Sequence, residues 1–161
     1  MILFHGSTRR IDAQRIDVGR RNLDFGPGFY MTDLREQAER WARRPANAGK
    51  PHVLNVYEWS FTPPSAPDIR YRHFPEYDDA WLDFVVANRR GEPAWNGLDV
   101  VEGGIANDRV FNTIELYAAG LTPKEDALQK LRLERPNNQI CILSQSVLDR
   151  FLRFVEAVEL P

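Results

Sequence analysis

Short apolar runs, each cut off by glycine or proline and interleaved with segments of helical period, constrain this chain more than any other feature. The stretches 1–5, 53–59, 98–101 and 139–143 have strand length and strand composition. Residues 34–44, 78–89 and 108–119 instead space their apolar side chains as one face of a helix. Asp33, with Glu36 three residues on, reads as the N-cap and capping box of the first helix. Thr122-Pro123-Lys124-Glu125 reads as a further helix start, and Gly120 as the C-cap before it. Further strands are expected near 29–32, 69–74 and 154–160, and a short helix from Ser144. Pro63, Pro64 and Pro67 make 62–68 a stiff connection. This irregular mixture, without internal repeats, predicts an α+β class in one domain over 1–161.

Composition excludes several classes. Apolar residues are 43% and charged residues 27% of 161, ordinary globular usage. The net charge of −2 is too small for a protein that binds nucleic acid by bulk charge. That balance is uneven: residues 1–50 hold ten Lys/Arg against six Asp/Glu, the remainder eleven against seventeen. Arg9, Arg10, Arg20 and Arg21 supply much of the early excess, which suits a local anion site for a phosphorylated small ligand. A lone cysteine, Cys141, excludes a disulfide scaffold and reads as a buried hydrophobe. No leader pattern and no membrane-length apolar run occurs, so a cytoplasmic protein without a membrane partner is expected.

Familiar chemistries are also missing. The histidines at 5, 52 and 73 have no zinc spacing, so no metal is expected. There is no phosphate-binding GxxxxGK[ST] loop and no GxSxG elbow, and Met31 stands where the dinucleotide fingerprint needs its third glycine. What remains are two strand edges that meet glycine, His5-Gly6-Ser7 and Phe25-Gly26-Pro27-Gly28-Phe29-Tyr30. Glycine has no Cβ, so backbone there can approach a flat heteroaromatic ligand closely. Trp41 and Trp81 fall on the apolar faces of their helices and are expected in the core.

In that order, Leu3-Phe4-His5-Gly6-Ser7, Asp24 to Thr32, Gln37 to Ala42, Trp81 to Arg89, Ala106 to Val110 and Asn137 to Ile140 resemble a bacterial family of uncharacterised domains that we place in the ADP-ribosyltransferase superfamily. The resemblance spans nearly the whole chain. It implies a split, bent β-sheet core with NAD in the cleft between its halves, and no metal. It implies that His5 bonds the adenosine ribose, that the Gly6 backbone clamps the nicotinamide carboxamide, and that Tyr30 stacks on the nicotinamide. Ser7 would be a secondary contact, Phe25, Gly26 and Gly28 would form the cofactor loop, and Arg9 or Arg20 would meet the pyrophosphate. The third motif position, usually Glu, is Gln139, an amide that cannot act as a base at neutral pH. Either another carboxylate reaches the site, with Glu115 the first candidate, or the acceptor needs no base. The implied activity is transfer of ADP-ribose from NAD to a macromolecular acceptor, and a toxin held by an antitoxin or immunity protein is compatible with it. NAD hydrolysis and an inactive NAD- or ADP-ribose-binding module are the alternatives.

Overall fold

The computed structural model describes residues 1–16, 22–106, 108–134 and 137–161. Three strands, β1 (Ile2–Ser7), β3 (His52–Trp59) and β7 (Leu152–Leu160), form an antiparallel sheet in the order β1-β3-β7. A second sheet runs β2-β6-β5-β4, from β2 (Phe29–Met31), β6 (Asn138–Ile142), β5 (Val100–Gly104) and β4 (Tyr71–Phe74). Its pairs are antiparallel except β4 with β5, which is parallel. The α+β class therefore holds, as two separate sheets with five α-helices among the described residues.

Among the described residues one isolated bridge links the two sheets by hydrogen bonds. Phe4 N–H donates to the Thr32 carbonyl at 2.8 Å, and Thr32 N–H returns a bond to the Phe4 carbonyl at 3.0 Å. Strand alternation then sorts the side chains. Leu3 and Tyr57 of the first sheet meet Phe29, Met31, Ile140 and Ile142 of the second in a shared core, closed by Val147 and Leu148 of α5 (Gln145–Phe151). The opposite face of the second sheet buries Val101 and Cys141 against α2 (Asp79–Arg89), α3 (Asp108–Ala118) and α4 (Lys124–Leu131). The opposite face of the first sheet packs Leu54 and Val56 against Ala38 of α1 (Arg35–Ala42).

The expected helix starts need correction. Asp33 does not cap α1; the Thr32 hydroxyl accepts the Leu34 N–H at 3.1 Å instead. At α4 the N-cap is Pro123, with no side-chain bond from Thr122. Asp78 does cap α2, accepting the Trp81 N–H at 2.8 Å. Trp81 is fully buried as expected, whereas Trp41 is 55% exposed. Ala38 and Ala42 take the sheet-facing positions of α1, which leaves Trp41 on its flank. No helix among the described residues is long and apolar enough to cross a membrane.

Asn55 holds the arginine-rich segment after β1. Fully buried, it accepts the Ile11 N–H at 2.8 Å and donates to the Arg9 carbonyl at 3.1 Å. The Tyr57 hydroxyl donates to the Ile11 carbonyl at 2.7 Å. Asn55→Leu keeps the volume but strands two backbone groups, so we expect about 2–3 kcal/mol of destabilisation in a denaturant titration.

Candidate active site

The site begins where β1 and β2 part. In an antiparallel ladder successive residues point their backbone groups to alternate sides. Met1 exchanges both bonds with Trp59 on β3, and Phe4 exchanges both with Thr32 beside β2. The groups of Gly6 therefore point with those of Phe4, away from β3. Continuing the register of the bridge sets Gly6 opposite Tyr30. The ladder stops there because the His5 ring intervenes: its Nδ1 lies 2.7 Å from the Tyr30 carbonyl that Gly6 N–H would otherwise reach. No described residue takes up the Gly6 N–H or C=O. A donor and an acceptor thus stand side by side on the strand edge without a hydrogen-bond partner among the described residues, although Gly6 itself is buried under α1.

His5 is oriented from two directions. Its ring stacks on Phe29, with centroids 4.8 Å apart, and Nδ1 faces a carbonyl oxygen, which can only accept. Nδ1 therefore carries the proton, and Nε2 presents a lone pair with no partner among the described residues. Desolvation by burial pushes the imidazole below its ordinary value, outweighing the Tyr30 carbonyl, so the ring is neutral at pH 7. Ser7, at the end of the same strand and half-buried, has no hydrogen bond from its hydroxyl to a described residue.

Tyr30 is tied to its own loop. Its hydroxyl donates to the Gly26 carbonyl at 2.7 Å and accepts the Phe25 N–H at 3.0 Å. Burial is the main reason its phenol is raised well above the ordinary value. Phe25 is wholly buried, 6.2 Å from the Phe74 ring and 6.1 Å from the Phe84 ring. Gly26 adopts φ 97° under the Trp95 ring, and a Cβ on Gly28 would lie 2.4 Å from the Ile142 carbonyl oxygen. These three residues thus build the support of the loop, and their backbone freedom is already used in packing.

Gln139 lies on the Tyr30 side of the second sheet, in register with Gly103 and one row along from the Tyr30–Cys141 pair. The residue as a whole is only 8% exposed; its carboxamide makes no hydrogen bond to any described residue, and its polar atoms keep access to solvent.

Glu115 is not brought to this group. It sits 54% exposed on α3 and pairs with Arg89 at 3.0 Å; Arg89 also holds Asp24 at 2.7 Å. Asn88 donates to the Asp24 carbonyl at 2.9 Å, so this network braces the loop that carries Tyr30. Arg9 is exposed and lines a concavity of about 350 Å³ with Arg10, Val53 and the carboxylate-bearing Glu159, on the His5 side of the first sheet. Arg20 and Arg21 lie outside the described residues. Cys141 is free and buried, as expected, and burial pushes its thiol up to about 12.

Trp41 lies on the flank of α1, although its period points to a core position. On α1, Ala38 and Ala42 straddle Gly6; a Cβ there would meet the Ala38 carbonyl oxygen at 1.9 Å. Arg35, Glu39 and Arg43 form a row toward β7, where Arg43 reaches the Pro161 carbonyl at 3.4 Å. Trp41 is about 200° round the helix from Glu39. Its exposed indole therefore flanks the open edge of β1, under the Arg44 guanidinium at 4.5 Å. The signal was available in sequence, since an alternative wheel centred on Ala38 and Ala42 leaves Trp41 outside.

Among the described residues no group of His, Cys, Asp and Glu is arranged to hold a metal. No curated protein and no solved structure matches the chain. Residues 1–154 match the family model described as protein of unknown function, DUF3990. With all but the last seven residues matched, the chain belongs to the DUF3990 family.

Proposed function

We propose that this protein is an NAD-consuming ADP-ribosyltransferase acting on a macromolecular acceptor. The observation that carries the reading is the free donor–acceptor pair of Gly6 beside the neutral His5 ring. A carboxamide presents the complementary acceptor and donor in one plane, as the Gly6 edge requires. The Nε2 lone pair of His5 suits a ribose hydroxyl donor, and the unpartnered Gln139 amide suits a second hydroxyl. Trp41 and the Tyr30 loop flank the same opening with aromatic surface for a nicotinamide ring. Two sheets joined by a single bridge are also what an ADP-ribosyltransferase-like split core would need.

Expelling neutral nicotinamide builds positive charge on the ribose. The chain's contribution is to hold the leaving ring and the ribose in fixed relation, which lowers the barrier through orientation. Arg9 remains the candidate for the pyrophosphate, and an antitoxin or immunity protein the candidate partner. The neutral Gln139 favours one second reading, a module that binds NAD or ADP-ribose without turnover.

The experiment is nicotinamide release from NAD by purified protein, alone and with cell lysate. Lysate-dependent release supports transfer, and release without lysate supports hydrolysis. NAD binding without release supports the inactive module, and no NAD binding overturns the whole reading. Trp41→Ala should weaken NAD binding about tenfold in a calorimetric titration while leaving the melting temperature nearly unchanged, because the indole is mostly in solvent.

A further inference from the structure

The two most exposed large hydrophobic side chains among the described residues stand at the two ends of one short helix. Leu121, just before α4, is 74% exposed, and Leu133, just after it, is 85% exposed. Both line one concavity of about 340 Å³ on the outer side of α4, with Pro123, Asp126, Gln129 and Lys130. Singly scattered leucines on a surface need no explanation, but two that bound the same groove do. Backbone hydrogen bonds fix both. Gly120, at φ 73°, follows α3, and the Leu121 N–H donates to the Leu116 carbonyl at 2.9 Å. At such a helix end the residue after the glycine commonly folds its apolar side chain back onto the helix, whereas Leu121 stays in solvent. The Leu133 N–H donates to the Lys130 carbonyl at 3.2 Å and so continues the turn of α4.

The polar residues of the groove are arranged to complement themselves. Ala127 and Leu131 bury the inner face of α4. At about 100° per residue, Gln129 and Leu133 then point outward, with Asp126 and Lys130 to one side of that line and Glu125 and Arg132 to the other. Asp126 and Lys130 are one helical turn apart yet not paired with each other, and none of these four charges has an ion pair with a described residue. Their neighbours are engaged elsewhere: Lys124 holds Asp79 and Asp83, and Glu134 lies 3.8 Å from Arg109. Laying a second α4 antiparallel about an axis near Leu128 sets Asp126 against the second copy's Lys130, and Glu125 against the second copy's Arg132. Two-fold symmetry repeats both pairs. The same rotation lowers the second copy's Leu133 onto Pro123 beside Leu121. The two Gln129 carboxamides meet near the axis, where each can donate to the other.

We infer that α4 is the pairing surface of a two-fold homodimer of this chain, an assignment independent of the NAD-consuming reading. One helix face with its flanking turns buries less than the roughly 1,000 Å² of permanent interfaces, so the dimer is concentration-dependent, with a Kd of about tens of micromolar.

Sedimentation equilibrium on the full chain, from about 5 to 500 µM, should pass from monomer to dimer. Asp126→Lys and Lys130→Asp should each weaken dimerisation about tenfold, because each sets like charges together twice, and the double reversal should return it to within about threefold of the wild type. Leu133→Ser should also weaken it about tenfold, with the melting temperature of the dilute monomer unchanged because the side chain is in solvent. Matching melting temperatures at the lowest concentration show that every variant is folded. A wild type still monomeric at the highest concentration, a dimer indifferent to Leu133→Ser, or a double reversal weaker than either single change each overturns the inference.

Discussion

Gly6→Ala is expected to melt well below the wild type, because its methyl group has nowhere to go. A Cβ at that position would lie 1.9 Å from the Ala38 carbonyl oxygen and 2.8 Å from the Ala42 amide nitrogen. Both are backbone atoms of α1, so no side chain can swing aside and the helix must lift from the sheet. Its only fully seated contacts, Ala38 and Ala42, are the ones lost. We expect about 3 kcal/mol of destabilisation, or roughly 6–12 °C in a thermal melt. Ser7→Ala, next door, should melt within about two degrees of the wild type. Equal melting of Gly6→Ala and wild type would mean that α1 does not seat on β1 as described. The close approach, and not an unusual backbone angle, is what requires glycine here, since Gly6 is absent from the positive-φ residues.

The second large effect concerns His5, and it separates holding the fold from serving the ligand. In His5→Asn the side-chain amide can replace Nδ1–H as donor to the Tyr30 carbonyl, but nothing replaces the Nε2 lone pair. We therefore expect a folded protein whose nicotinamide release falls roughly a hundredfold or more. Wild-type turnover in that variant would remove His5 from the site. The same residue sets a pH signature. Its folded-state value lies below the ordinary 6.5, so the unfolded chain takes up the proton first on acidification. The stability contributed by the neutral ring is complete above pH 6.5 and is lost as the pH falls through and below it. His5→Asn should lack that component, which parallel denaturant titrations between about pH 7.5 and 5 would read.

The expectations that succeeded rest on short-range physics. Seven strands and five helices lie where alternation, helical period, proline and glycine put them, with boundaries moved by a few residues. Gly120 and the buried Cys141 follow from local chemistry alone. The helix starts that failed had plausible caps in sequence but better partners in space. Thr32 reaches the Leu34 N–H because the bridge to Phe4 fixes its backbone, an arrangement invisible from Asp33 and Glu36. Trp41 was misassigned for a related reason. An eight-residue helix seats on a strand by two alanines because glycine lies beneath them, so the small residues, not the large one, face the sheet.

What the sequence by itself determined is therefore the α+β class, the order of elements, and the two glycine-bearing segments from which the site is built. Only the tertiary structure decided how those segments meet. His5 and Tyr30 are 25 residues apart, and whether Gly6 completes a ladder or keeps its backbone groups open depends on which atom reaches the Tyr30 carbonyl. Gln139 likewise comes to lie one row along from the Tyr30–Cys141 pair only once β6 lies beside β2 and β5. Periodicity records which face of an element is apolar. It does not record which polar atoms are left without a partner when distant strands come together, and those atoms are where a ligand can bind.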